Sequence, residues 1–319
     1  MAEENIENSA STKKHKLKIL IIFIVWGTGL VYFFSNPNPQ FHFDYTYRFA
    51  EIFYHGKIGL NEKPPTWLNE AVPFEGKWFT VFPYGSVLSM LPFAFLKYIG
   101  ISEEMPAGFI GAFLGSLICL LLFLISRFYE HTLPKRILMV LGIMFGTWLW
   151  TNLMMAGAWH LALGFAMIGE LGAIYFIIYK RNPIFAGAFF ALAFGNRTEI
   201  ILTAPIFMLM LVSEKIYAMS KEFAKMDDRK LPEKNPILTN LIGFCVVPFL
   251  LGISTLTYNY LRFKSPFDFG YARIPGVLNE PWYRHGIFSI WYIPYNINEM
   301  LLMTWKKIEG YPYYVPTGF

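Results

Sequence analysis

Long uncharged apolar runs constrain this chain more than any other feature. Residues 19–34, 107–126 and 237–260 each run without a charged side chain. Runs of about 18 or more apolar residues are membrane-span candidates rather than cores of water-soluble domains. Composition agrees: 55% of the 319 residues are hydrophobic and 15% charged, against roughly 45–50% and 25% in soluble domains. This balance excludes a disordered chain, a disulfide scaffold and a collagen-like fibre, and argues against a soluble nucleotide-binding enzyme. The two cysteines, Cys119 and Cys245, both fall inside apolar runs and read as small hydrophobes. No Cys or His pair has metal-ligand spacing.

The reading is all-α: a polytopic transmembrane helix bundle of about seven spans with extracytoplasmic amphipathic helices and loops. Spans are expected at 17–35, 107–126, 136–152, 158–179, 183–196, 199–213 and 236–260. Lys13, Lys14, Lys16 and Lys18 precede the first run and no small-x-small cleavage site follows it, so it is expected to stay as a helix. A further apolar segment, 83–100, is expected to lie on the surface or re-enter. With that topology, fifteen of the 27 Lys and Arg crowd the short inner loops and their borders, as the positive-inside rule requires. The net charge of +5 is then a matter of membrane orientation and not of nucleic acid. The expected layout is a cytosolic basic tail over 1–18, a bundle over 19–260 that includes an extracytoplasmic first loop over 36–106, and an extracytoplasmic segment over 261–319. The chain is expected in the plasma (inner) membrane with its N-terminus in the cytosol.

Within the first loop, Asp44, Arg48, Glu51 and His55 are spaced i, i+4, i+7, i+11, one face of a helix. Phe43, Tyr47, Ala50 and Tyr54 form an aromatic side. The helix is expected to lie along the membrane, polar side up and aromatic side down. Asp44 either takes a proton from an attacking hydroxyl or caps the helix, with Arg48 and Glu51 in exposed ion pairs. Trp78, Phe79 and Tyr84 either line a concave wall or anchor the interface. His160 opens the fourth span. Glu170, three turns deeper, is expected to face the bundle interior. Arg197 either meets a lipid phosphate or pairs with Glu199. Arg262 and Lys264 leave the last span where an anionic group can be held, or are an ordinary basic flank. Residues 286–305 are expected to form another surface-lying stretch.

Several segments together resemble the integral-membrane GT-C glycosyltransferases, in particular the bacterial dolichyl-phosphate-mannose-protein mannosyltransferase-like group (glycosyltransferase family 39-like). They are Asp44 in a surface helix after span one, the turns at Gly56-Lys57 and Gly76-Lys77, Phe82-Pro-Tyr-Gly85 with Leu91-Pro92, His160 opening a span, Asn196-Arg-Thr-Glu199 between spans, and Tyr258-Asn-Tyr-Leu-Arg-Phe-Lys-Ser-Pro-Phe-Asp-Phe-Gly-Tyr271. The likeness covers about 36–296. It implies transfer of a sugar from a polyprenyl-phosphate donor to a glycan, lipid or protein acceptor at the extracytoplasmic face of the cell envelope. It places the catalytic acid at Asp44 and the phosphate contacts at Arg197 and Arg262, with His160 or Lys77 beside them. Trp78, Tyr84 and Tyr271 are expected along the sugar and acceptor paths. No cofactor is specified, no metal ligands are assigned, and a divalent metal is compatible. Two departures stand out. The family's Arg-Phe-Gly reads Arg262-Phe-Lys264, so a different turn is expected there, and relatives usually continue beyond the position of Phe319. Two rival functions share these features: a transporter or flippase for a lipid-linked saccharide, and a non-catalytic membrane partner in envelope-glycan assembly.

Overall fold

In the computed structural model, the described residues are 2–37, 43–65, 68, 70–129, 131–226, 230–231, 236–280, 283–287, 289–298, 306–307, 309–311 and 314–315, with side chains described from His15 onward. The chain divides into two compact units, Met1–Asp268 and Phe269–Phe319.

The first unit is helical. Four helices are long and apolar enough to cross a membrane: His15–Ser35 within α1 (Ala2–Ser35), α4 (Ala107–Ile125) with the turn that follows it, α7 (Ala158–Tyr175) with its π-helical end Phe176–Lys180, and α11 (Ile237–Phe263). Up to six spans result if each of two bent helix pairs is counted as one. Exposed apolar side chains such as Phe23, Trp26, Leu238 and Phe249 cover the outer surfaces of α1 and α11. On a helix that crosses a bilayer, such faces meet lipid.

The expected span over 136–152 is not one straight helix. It is α5 (Leu133–Gly146) and α6 (Trp148–Met155), bent by 56°. The break follows from Gly146 and from Thr147, which is extended and accepts the Leu149 amide on its hydroxyl, starting a new helix. The expected spans over 183–196 and 199–213 become α8 (Pro183–Asn196), a 3-10 turn Thr198–Thr203 and α9 (Ala204–Val212). A second bend, of 64°, turns α9 into the amphipathic α10 (Glu214–Met226). Asn182 caps α8 by accepting the Phe185 amide at 3.1 Å, and Pro183 fills the first turn. At 14 residues, α8 is roughly 21 Å long, short of the roughly 30 Å hydrocarbon layer.

Small residues let α8 pack backbone to backbone. A Cβ on Gly85 lies 2.4 Å from the Gly195 carbonyl oxygen, one on Gly169 lies 2.5 Å from the Ala193 nitrogen, and one on Gly187 lies 2.0 Å from the Phe244 carbonyl oxygen. These close approaches bring α3 (Tyr84–Tyr98), α7 and α11 against α8. Most of the segment 83–100 is thus the helix α3, packed along one side against its neighbours. Val87, Met90, Phe93 and Ala94 of α3 are buried, and Ser86 donates to the Asn196 carbonyl at 3.2 Å.

Helix α2 (Tyr45–Tyr54) forms where the spacing of Asp44, Arg48 and Glu51 predicts one. Its aromatic side does not face lipid: Tyr45, Tyr47, Phe49 and Ala50 are buried in the same core as α3, α4 and α7. Tyr54 donates to the Leu91 carbonyl at 3.0 Å, and Lys97 pairs with Glu51 at 2.8 Å, fastening α2 along α3. A hairpin that the helical reading missed joins β1 (Ala71–Phe74) to β2 (Lys77–Thr80), with Ala71 opposite Thr80 and Phe74 opposite Lys77. Glu75 and Gly76 at the tip both have positive φ (46° and 77°), as a two-residue type I′ hairpin turn requires.

In the second unit, short 3-10 turns at Tyr271–Arg273, Val277–Asn279 and Ile290–Tyr292 lead into α12 (Ile293–Ile297), and Lys306–Lys307 (β3) pairs with Tyr314–Val315 (β4). Of the expected surface stretch over 286–305, residues 288 and 299–305 lie outside the described residues.

Replacing Gly85 by Ala will push α3 from α8 and lower stability by about 1–3 kcal/mol. Gly252→Ala, where a Cβ meets nothing within 4 Å, will raise it by up to about 1 kcal/mol. Thermal unfolding in detergent compares the two.

Candidate functional site

Chemistry-bearing residues gather where α2 begins against the first turn of α7. Phe43 lies in the left-handed region, φ 48°, and its carbonyl accepts the Ala158 amide at 3.0 Å. Its ring meets Tyr45 and Trp159. Asp44 follows, 7% exposed. It occupies the N-cap position, yet its side chain makes no cap hydrogen bond. Instead Oδ1 accepts from Arg48 Nε at 2.7 Å. The pair is therefore half inside, not the exposed surface pair that the spacing suggests. Burial pushes the Asp44 carboxyl above the ordinary carboxylate range, and the Arg48 guanidinium draws it partly back.

A second carboxylate stands close by. Trp159 Nε1 donates to both oxygens of Glu70, at 3.2 and 3.1 Å. Burial raises the Glu70 carboxyl and the indole N–H offsets part of the rise. The Trp159 ring packs on Tyr45 and Phe82. The Tyr45 phenol is pushed up to about 12 by burial, with the charges of Glu70 and Asp44 adding to it. His160 completes the group: a Cβ on Gly157 lies 3.1 Å from His160 Nδ1 and 3.4 Å from Phe43 Cβ, so the missing side chain is what admits imidazole and ring together. Asp44, Glu70, Trp159 and His160 thus share one aromatic-walled corner. The Glu70–Trp159 contact spans 89 positions and has no periodic signature, which is why residue spacing did not reveal it.

The two arginines expected at phosphate have different surroundings. Arg262 is 2% exposed. One of its terminal nitrogens donates to the Thr80 carbonyl and the other to Asn259 Oδ1. Its guanidinium carbon lies 4.1 Å from the centre of the Tyr258 ring. Thr80 ends the hairpin, and the buried guanidinium fastens that end to α11. Arg197 follows α8 and lines a crevice of about 670 Å³ between α6, α7 and α9. Its walls are mainly apolar, with Trp148, Leu163, Met167 and Phe207 among them, and Glu170 also faces it. On α7 the crevice begins at Leu163, one turn beyond His160.

The remaining expected residues are spread out. Lys77 is exposed beside the hairpin tip. Trp78 is half-buried, its backbone exchanging two 2.9 Å hydrogen bonds with Leu60. Tyr84 opens α3 and packs on Tyr258 at 4.6 Å. Tyr271 belongs to the second unit, in a 3-10 turn after Gly270. Lys264, where the resemblance has glycine, takes φ 58°. It forms a left-handed helix ending of the kind that glycine favours. No group of three or more His, Cys, Asp or Glu converges to hold a metal among the described residues, and no step is assigned to one.

Comparison with protein-family models, with curated proteins and with solved structures returns no match for this chain.

Two measurements follow from the geometry. Arg262→Gln will cost about 2 kcal/mol or more, because buried acceptors lose their donors, whereas Arg197→Gln will shift stability by about 0.5 kcal/mol or less; melting curves of both variants decide. The Asp44 carboxyl holds its proton to higher pH in the folded chain than in the unfolded one. The folded state therefore binds more protons across that interval, and stability falls as pH rises from the ordinary carboxylate range through Asp44's own. Asp44→Asn will remove this slope and Arg48→Met will extend it to higher pH, read from unfolding at a series of pH values.

Proposed function

We propose that this chain is a multi-pass membrane glycosyltransferase of GT-C type. It moves a sugar from a polyprenyl-phosphate carrier to an acceptor at the extracytoplasmic face of the plasma membrane, with its N-terminus in the cytosol. The observation that carries the reading is a buried carboxylate, Asp44, next in chain to Phe43, whose carbonyl is held by the first turn of α7, the helix that carries His160 and lines an apolar crevice shared with Arg197. In this reading the isoprenoid lies in the crevice and Arg197 neutralises the carrier phosphate.

The acceptor hydroxyl gives its proton to Asp44. Its oxygen attacks the anomeric carbon from the face opposite the phosphate. The bond to phosphate breaks with its electron pair leaving on the phosphate oxygen, which inverts the centre. A carboxyl raised by burial is a stronger base than an ordinary surface carboxylate, and Arg48 keeps enough of it ionised to act. His160 is placed for a hydrogen bond to the sugar or its phosphate. Arg262 acts through the hairpin it fastens, not on the donor. Trp78 and Tyr84 form the neighbouring wall.

One observation favours a second reading, transport of a lipid-linked saccharide: two helix pairs are sharply broken, at 56° and 64°, and broken spans are common at transporter binding sites. Reconstitution with a radiolabelled polyprenyl-phosphate sugar separates the two. Transfer to acceptor is expected. Movement of label across the bilayer without transfer would support the second reading, and neither outcome would leave a non-catalytic partner role. Asp44→Asn will lower transfer by at least about a hundredfold while donor binding and a cooperative melting transition persist. Turnover like that of the unmodified chain would remove Asp44 from the mechanism.

A further inference from the structure

The arginine assigned to phosphate already has an anion beside it. Arg197 Nε lies 3.0 Å from Glu199 Oε1. The contact is one of charge alone: Arg197 Nε has no hydrogen-bond partner, because its N–H is not directed at that oxygen. The other arginines with described side-chain bonds are occupied in a directed way. Arg48 donates to Asp44, Arg136 to Ser126 and the Phe123 carbonyl, Arg181 to the Leu211 carbonyl, Arg262 to Thr80 and Asn259, and Arg284 to His285.

The surroundings of the pair point the same way. Both residues line the crevice, and so does Glu170. One guanidinium therefore shares the crevice with two carboxylates, and an incoming phosphate adds more negative charge. The Glu199 side chain is 61% exposed and that of Arg197 36%, so Glu199 can turn away into solvent or headgroups without losing a buried position. The backbone underneath is fixed. The Arg197 amide donates to the Ala193 carbonyl at 3.0 Å and its own carbonyl accepts from Ile200 at 3.1 Å. Exchange of partner then needs side-chain rotation only.

We propose that Glu199 is a resident counter-ion that competes with the donor's phosphate for Arg197 and sets how tightly the crevice holds an anionic lipid. This rests on the phosphate role given to Arg197 above. In the empty site the carboxylate neutralises the guanidinium within the bilayer's thickness, where a bare charge is costly. On binding, phosphate takes its place with better-directed, charge-assisted hydrogen bonds. Discrimination follows: an anionic headgroup must out-compete Glu199, whereas a neutral lipid gains nothing by displacing it.

The test uses the full chain in nanodiscs of neutral phosphatidylcholine, titrated with polyprenyl phosphate that carries no sugar, the bound fraction being counted by native mass spectrometry. Glu199→Gln is expected to tighten binding about threefold or more, the size of a partly exposed charge pair. Arg197→Gln is expected to weaken it. Adding Glu199→Gln to Arg197→Gln is expected to give much less than that gain, since the competition needs the guanidinium. Unchanged or weaker binding by Glu199→Gln, with Arg197→Gln still impaired, would overturn the counter-ion role alone. Wild-type binding by Arg197→Gln would overturn both this role and the placement of phosphate at Arg197. An equal gain in both backgrounds would show Glu199 acting as general negative charge and would also overturn the proposal. Melting curves of each variant establish that the fold is retained.

Discussion

Backbone contact around α8 is the constraint on which the rest of the first unit depends. A helix of 14 residues has too little length to hold a bundle together through side chains alone. It does so by presenting and receiving glycine. Gly85 and Gly195 leave room for α3, Gly169 for α8 itself on α7, and Gly187 for α11. Dispersion between main chains at such distances replaces the hydrophobic effect, which has little to offer between helices already in lipid. The same contacts decide where function can sit. With α3 and α7 drawn to α8, the Asn196–Glu199 turn is brought beside the crevice wall, and the α2 helix that lies along α3 is carried to the head of α7.

Charge inside this scaffold is placed by what each group can be paired with. Asp44 has a guanidinium one turn away, Glu70 an indole N–H, and Arg262 two oxygens and a tyrosine face. Those pairings differ in what they leave over. Both terminal nitrogens of Arg262 are bonded, to Thr80 and Asn259, so burial makes it part of the frame. The contact of Arg48 leaves Asp44 with further lone pairs and a proton affinity raised by burial. Two residues that read alike in a sequence, Arg197 and Arg262, thus end in opposite conditions because one ends up in an apolar crevice and the other beneath a hairpin.

Much of this was legible before any coordinates. Uncharged length alone locates the apolar part of α1, α4 and α11, an apolar run broken only by Glu170 locates α7, and the spacing of Asp44, Arg48 and Glu51 locates α2. What failed had physical reasons. A hydrophobic run carries no mark of a bend, so the Gly146-Thr147 break in 136–152 was passed over. The aromatic side of α2 suits lipid and protein equally well, and only packing decides between them. Ala71–Thr80 is too short to show a two-residue alternation against its helical surroundings, and its Glu75-Gly76 tip is a weaker signal than Asn-Gly or Asp-Gly. Glu70 with Trp159, and Arg262 with Thr80, are partnerships across 89 and 182 positions, which no local pattern encodes.

The backbone at Phe43 has a consequence of its own. A side-chain-bearing residue is held there in a left-handed twist, a conformation worth roughly 1–2 kcal/mol against it. It persists because the Ala158 amide grips its carbonyl and two rings hold its own. The acid next in line is thereby mounted on a wound peptide whose latch belongs to a different helix. The head of α7 and the backbone that carries Asp44 are therefore separated by one hydrogen bond and one amide plane, while Arg48 holds the carboxylate itself from α2.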